Sequence, residues 1–227
     1  MTENLPTLSE STRTTLRRKR ERGAHDRTTV EAILDEGLVC HVGFAEDGSV
    51  FVQPTMYARI GDALYLHGAP ANRMLRALAA GGPACVTVTL LDGLVLARSA
   101  FHHSMNYRSV MLFGTAERVE DDEAKRAAMT ALLEHVAAGR SGDTRPPSAR
   151  ELRATLVLRF PIEEGSAKVR AGGPIEEPED LGLPVWAGQI PLSLAAGVAV
   201  PDSGLADGVQ PPSYVRSYPR RGAAPGH

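Results

Sequence analysis

The chain is predicted to fold as one mainly β domain of about six antiparallel strands, a barrel or sandwich with a few helices between the strands. Three observations predict it. Short β-branched and aliphatic runs recur between turn signals such as Asp47-Gly48, Gly61-Asp62 and Gly81-Gly82. Only three segments carry helical periodicity. No Gly-x-Gly-x-x-Gly, Walker loop, Gly-x-Ser-x-Gly or His-Glu-x-x-His occurs, which argues against a nicotinamide-binding Rossmann domain or an ordinary hydrolase.

Residues 1–27 read as a polar arm with a basic cluster, Arg17-Arg18-Lys19-Arg20. Without interleaved aromatics it is expected to be a solvated helix start or an arm on a partner subunit, not a nucleic-acid contact. Thr28 and Glu31 have capping-box spacing, Val30, Ile33 and Leu34 form an apolar stripe, and Gly37 ends this first helix. A strand over 38–44 leads to the hairpin signal Asp47-Gly48, and residues 50–59 return. Gly61-Asp62 turns the chain into a strand over 63–67. A short helix follows, with Pro70 in its first turn, Met74, Leu75 and Leu78 on one face, and Gly81-Gly82 at its end.

The runs 84–90 and 93–97 flank Asp92-Gly93 and form either a hairpin or one long kinked strand. Residues 109–118 read as a strand. Glu120-Asp121-Asp122 places negative charge at a helix start, where the dipole favours it. That helix buries Ala128, Leu132 and Val136, and Gly139 stops it. A loop with Pro146-Pro147 then precedes a long strand over 154–162 and a short one over 166–170. From Ala171 onward lie nine of the 16 prolines and nine of the 22 glycines. Such a tail cannot form a second core, so it is expected to be an extended wrapping segment, partly disordered beyond Pro201. The chain thus divides into an arm over 1–27, a barrel domain over 28–170 and a tail over 171–227.

Composition narrows the function. A chain of 227 residues with 43% hydrophobic and 23% charged residues has a core and is not of the disordered class. With 25 Lys+Arg against 27 Asp+Glu, its net charge of −2 argues against a nucleic-acid partner. No apolar run approaches the ~20 residues of a membrane helix, and the first residues lack a signal-peptide pattern; a cytoplasmic protein without a membrane partner is expected. Cys40 and Cys85 lie in apolar strand runs and read as buried free thiols, with no Cys-x-x-Cys for zinc.

Two segments carry candidate chemistry. In the first, a strand ends at His67, a helix begins near Pro70, and Asn72 and Arg73 fall in its first turn. Free amides, a helix N-terminus and a guanidinium converge there, which suits a phosphate; the alternative is a surface arginine on an ordinary helix. His67 is a proton donor at a strand end or a satisfied core histidine. In the second segment, His102 and His103 are adjacent, and sequence neighbours rarely face one ion; with no carboxylate nearby, no metal site is assigned. Arg108 and Ser109 read as polar contacts to an anionic or carbonyl-bearing ligand.

Taken in order, these strings resemble the FMN-binding split-barrel superfamily. They are Ile33-Leu34-Asp35-Glu36-Gly37, Val52-Gln53-Pro54-Thr55-Met56-Tyr57, Leu64-Tyr65-Leu66-His67-Gly68 with Asn72-Arg73, Asn106-Tyr107-Arg108-Ser109-Val110 with Phe113-Gly114, Ser166-Ala167-Lys168-Val169-Arg170, and Leu183-Pro184-Val185-Trp186-Ala187-Gly188. The resemblance spans about residues 17–192 and is nearest to the pyridoxamine 5′-phosphate oxidase-like branch, which includes nitroimidazole-reductase-like proteins. It implies a six-stranded antiparallel split barrel, homodimeric, with FMN in clefts between two barrels. Val52, Gln53 and Pro54 would run beside the isoalloxazine, and His67 and Gly68 near the ring and ribityl chain. Asn72 and Arg73 match a Ser-Arg pair on the phosphate, and Arg108 and Ser109 match an Arg-Gln pair. Lys168 and Arg170 would come from the second subunit, and the tail near 184–188 would cover the partner's cleft.

Two departures stand out: Arg73-Met74 replaces Arg-Lys, and the oxidase's C-terminal Trp and Arg-x-His pattern is not recognisable, which puts vitamin B6 oxidase activity in doubt. The expectation is an FMN-dependent oxidoreductase acting on a small organic molecule, with His67 as catalytic candidate. The alternatives are a flavin- or haem-binding carrier or sensor, with His102 and His103 as axial ligands, and a deazaflavin-dependent reductase.

Overall fold

A computed structural model describes residues 7–218; the ends of the predicted arm and tail, residues 1–6 and 219–227, lie outside the described residues. The chain opens with β1 (Gly23–Ala24), α1 (Arg27–Glu36), β2 (Val39–Glu46) and β3 (Ser49–Met56). The cap of α1 is Asp26, whose carboxylate accepts the Thr29 N–H at 2.8 Å. Thr28 is therefore inside the helix, and Glu31 instead pairs with Arg27 and Arg59. Between β2 and β3, Asp47 and Gly48 both take positive φ, 50° and 75°, the tight turn whose twist suits a hairpin.

The predicted return strand over 50–59 is two strands, β3 and β4 (Ala58–Ile60), in different sheets. Tyr57 makes the switch: its ring is fully buried and its hydroxyl donates to the Leu34 carbonyl at 2.6 Å. Next come β5 (Ala63–Gly68), α2 (Arg73–Ala79), β6 (Pro83–Leu96), β7 (Ser104–Thr115) and β8 (Glu117–Arg118). Pro70 precedes α2 rather than starting it, because Asn72 is the cap and accepts the Leu75 N–H at 3.2 Å. β6 is one long strand with a register break between Leu91 and Gly93, which settles the choice at Asp92-Gly93. That length gives β7 a partner from Ser104 onward, well before the predicted start.

The remaining elements are α3 (Asp122–Val136), α4 (Ala149–Arg153), β9 (Leu156–Pro161), β10 (Glu164–Arg170), β11 (Gly188–Pro191) and α5 (Ser213–Arg216). The composition-based reading missed α4, although Ser148-x-x-Glu151 is a capping box and both of its reciprocal bonds form.

Two antiparallel sheets result, ordered β1-β10-β7-β6-β2-β3, with β11 also on β6, and β4-β5-β9-β8. The fold class is as predicted, mainly β and antiparallel with few helices. The strand inventory exceeds six because the chain changes sheets at Tyr57 and Ala116, splitting two predicted strands, and because the arm and the tail add β1 and β11. The core fills the space between the sheets: Val42, Val86, Val110 and Leu112 face Leu64, Leu66, Leu158 and Phe160. α1 and α2 close it with Val30, Ile33, Leu34, Met74, Leu75 and Leu78.

The arm is part of the wall. Leu8 is buried, its N–H donates to the His25 carbonyl, and Arg13 pairs with Glu164 while lying over the Phe113 ring at 4.8 Å. Arg17, Arg18, Lys19 and Arg20 are exposed, as solvated charges should be. Cys40 is a buried free thiol, pushed up to about 12 by desolvation, whereas Cys85 is only half-buried.

The tail is held at two places. β11 runs along β6, where Gly93 leaves room: a Cβ there would lie 3.0 Å from the Ile190 carbonyl. Past Pro201, where disorder is predicted, α5 returns to the end of α3. The Tyr214 hydroxyl donates to Asp143 at 2.6 Å and accepts from Arg140 at 3.1 Å, and the Tyr218 hydroxyl donates to the Val136 carbonyl.

Candidate functional site

Strand register sorts the predicted site residues by face, since paired residues share one. Pro54 pairs with His41, His41 with Thr87 and Thr87 with Met111; Thr89 pairs with Ser109 and Ser109 with Lys168. Val52, Pro54, Ser109 and Lys168 therefore lie on the outer face of the larger sheet. That face is open and apolar: Val50 is 80% exposed and Val52 67%, with Leu91, Met105 and Met111 also exposed. β3 is an edge strand, so half of its backbone donors and acceptors have no ladder partner. Gln53 points the other way, alongside Phe51.

Three of the predicted ligands are otherwise engaged. Arg108 lies on the inner side of β7, with its guanidinium held by Asp92 (2.8 and 2.9 Å) and by both oxygens of Glu36. The hydrogen bonds to Asp92 first, and then to Glu36, raise its pKa further. Arg170 is buried and donates to Asn106 and, at 3.0 Å each, to the Gly172 and Gly173 carbonyls, so it anchors the start of the tail. The Asn72 carboxamide caps α2. Arg73 stays available: its side chain is 57% exposed, with Glu46 at 3.2 Å and the Phe51 ring beneath it at 4.9 Å. Ser109 Oγ donates to the Lys168 carbonyl at 3.4 Å.

His67 and Gly68 part company by strand alternation. A Cβ on Gly68 would lie 3.0 Å from Leu75 of α2, while Leu64 and Leu66 point into the core. His67 instead faces α3, where it lines a cavity of about 720 Å³ with Met129, Leu133, Thr144, Arg145 and Glu151. Its Nδ1 is buried and has no hydrogen-bond partner among the described residues. Desolvation lowers its pKa and so favours the neutral ring. The cavity's outer wall is the loop after α3, pinned where Glu134 accepts the Gly139 and Ser141 N–H groups at 2.6 and 2.8 Å. Arg126 pins its other end by donating to the Pro147 carbonyl at 2.6 Å. Sequence reading missed this cavity, whose one legible signal was the Ser148–Glu151 spacing at the start of α4.

His102 and His103 lie elsewhere, on the turn before β7. His102 is 3.8 Å from Glu177, and His103 Nδ1 is 3.1 Å from the Ser99 carbonyl. Among the described residues no three His, Cys, Asp or Glu side chains cluster to hold a metal ion.

Two antiparallel sheets sharing one core, with one sheet face open and apolar, define the split-barrel class. The chain belongs to the pyridoxamine 5′-phosphate oxidase family, whose sequence model matches residues 26–169. Among solved structures it is similar to the flavocytochrome Anf3 from Azotobacter vinelandii, with 40% identity and a TM-score of 0.85 over 90% of this chain and 95% of that one. It is similar as well to the FAD and haem binding protein from Mycobacterium smegmatis, with 37% identity and a TM-score of 0.84 over 88% and 98%. A 5-nitroimidazole antibiotic resistance protein (so described) from Bacteroides thetaiotaomicron is more distant, with 28% identity and a TM-score of 0.55 over 65% and 86%. No curated protein matches the chain.

Proposed function

We propose that this protein is a redox protein holding a flavin and a haem at separate places, the flavin between two copies of the chain and the haem in the His67 cavity. The observation that carries the reading is His67. A half-buried imidazole, whose buried Nδ1 has no hydrogen-bond partner among the described residues and whose pKa desolvation lowers, lines a cavity of about 720 Å³, and neutral imidazole is the form that ligates iron. The two neighbours with "flavocytochrome" or "FAD and haem" in their descriptions align over 90% and 88% of the chain, well beyond the family match at 26–169. His102 and His103, the haem ligands first considered, lie on the turn before β7, away from this cavity's lining.

For the flavin, the open face supplies Val52 and Pro54 with the free backbone edge of β3, and Arg73 supplies a phosphate cation. Ser109 lies three strands away on the same sheet and Lys168 four, roughly 14 and 19 Å at the usual spacing. In the proposed homodimer, a second copy packed on this face would bring them to the first copy's β3 edge. FMN and FAD share the ring and first phosphate, so both suit Arg73; the mass of the released cofactor separates them from each other and from a deazaflavin. When bound, a flavin supplies hydride or one-electron transfer and a haem one-electron transfer. The chain's own part is to orient the ring by backbone contacts, bury it between apolar faces and neutralise its phosphate. The proposed activity is that of an oxidoreductase on a small organic molecule.

Haemin titration of the full chain tests the central assignment. A Soret band that saturates at one haem per chain and disappears in His67→Ala, but persists in His102→Ala and His103→Ala, is expected. Retention of the band in His67→Ala overturns it.

A further inference from the structure

On the opposite side of α4 from the His67 loop lies a second cavity, of about 330 Å³. Four elements send a cation to it: Arg76 from α2, Arg118 from β8, Lys125 from α3 and Arg153 from α4. The single acid in its lining is Glu120, which pairs with Arg118 at 3.0 Å. Among the described residues, Arg76, Lys125 and Arg153 have no ion pair. Like charges held around one cavity repel each other, and a structure that gathers them without counter-charges is stabilised when an anion enters. The acids nearest in sequence do not serve: none of Asp121, Asp122 and Glu123 lines the cavity, and Asp121 caps α3 by accepting the Ala124 N–H at 2.8 Å.

We infer that this cavity binds a phosphate-bearing small anion, with Arg76, Arg153 and Lys125 as its ligands. Three unpaired cations match a multiply charged oxyanion better than a monocarboxylate, which would leave net positive charge behind. The arginines supply forked donors and the lysine a point charge, the usual division of labour at phosphates. The size suits one or two phosphate groups with a small organic remainder, not a whole nucleotide cofactor. Nothing in the flavin or haem reading requires the site, because Arg73 and His67 lie outside its lining.

The test is calorimetric titration of the full-length protein with pyrophosphate, repeated with Arg153→Gln and Lys125→Gln, both on helices and without an ion pair among the described residues. Saturable 1:1 binding is expected, weakened about tenfold by each substitution and by raising the salt from 50 to 200 mM. FMN and riboflavin serve as competitors. Displacement of pyrophosphate by FMN but not riboflavin identifies the flavin's phosphate as the anion, whereas no displacement by either identifies a separate ligand; both support an oxyanion site. Absence of saturable pyrophosphate binding, or binding unchanged in both variants, overturns the inference. Thermal melts of the variants matching the parent show that lost binding is not lost folding.

Discussion

Replacing Arg108 by methionine should destabilise the fold while leaving flavin retention nearly intact. The guanidinium joins three elements, β7 through its own backbone, β6 through Asp92 and the end of α1 through Glu36. Its side chain is 30% exposed, and its partners 27% and 28%. Breaking a fully buried pair costs about 3–5 kcal/mol and an exposed one about 0–1. A half-buried, doubly bidentate cluster falls between, at about 2–3 kcal/mol, because Glu36 and Asp92 both lose the guanidinium that joins them. For a chain of this size that lowers the melting temperature by roughly 4–12 °C. Adding Asp92→Asn removes one of the stranded charges and should restore about 1 kcal/mol. Thermal and urea unfolding give the stability change, and flavin fluorescence gives retention. A variant as stable as the parent that no longer holds flavin would refute the structural role and restore Arg108 as a cofactor ligand.

Four further outcomes are expected from other contacts of the fold. Asn72→Ala should cost about 1 kcal/mol in urea unfolding through the lost cap of α2 and leave flavin affinity unchanged, whereas Arg73→Ala should weaken flavin retention by ~1.5–3 kcal/mol with little change in stability. Tyr57→Phe should cost ~1–2 kcal/mol, the worth of a buried hydroxyl-to-carbonyl bond whose acceptor is stranded; a cost under about 0.3 kcal/mol contradicts that role. The Arg13 and Ser11 hydrogen bonds to Glu164 hold its carboxyl down to about 2, from an ordinary value of 4.5. Its contribution to docking the arm is therefore complete above pH 4.5 and lost as pH falls toward 2. Hydrogen exchange at residues 8–14 should rise across that window and not in Glu164→Gln, which lacks the ion pair at every pH.

Local signals were legible wherever residues near in sequence decide the outcome. The Asp47-Gly48 hairpin, the apolar stripe of α1 and the Gly37 stop are all such cases. So is the face of α2, where Met74, Leu75 and Leu78 are buried as their spacing requires. What was not legible depends on residues distant in the chain. Arg108 reads equally well as a ligand or an ion pair until β6 and α1 bring Asp92 and Glu36 to it. His67 and Gly68 were read together from a strand end, yet alternation sends them to opposite sides, and α3 arrives over His67 from sixty residues later. Thr28 and Asn72 show a smaller failure, an offset of two residues at each helix start: α1 is capped by Asp26 rather than Thr28, and α2 begins after Asn72 rather than near Pro70. Proline and glycine content marked the tail as lacking a core of its own, but it could not foresee Tyr214 and Tyr218 fastening the tail to the end of α3 and the loop after it.

Whether two cofactors occupy two places in one chain is decided by the absorbance spectrum of the protein reconstituted with flavin and haemin, compared with that of His67→Ala. One flavin and one haem per chain are expected in the parent, and in the variant an unchanged flavin band without the Soret band. A variant that keeps its haem, or that loses flavin and haem together, contradicts the two-site proposal.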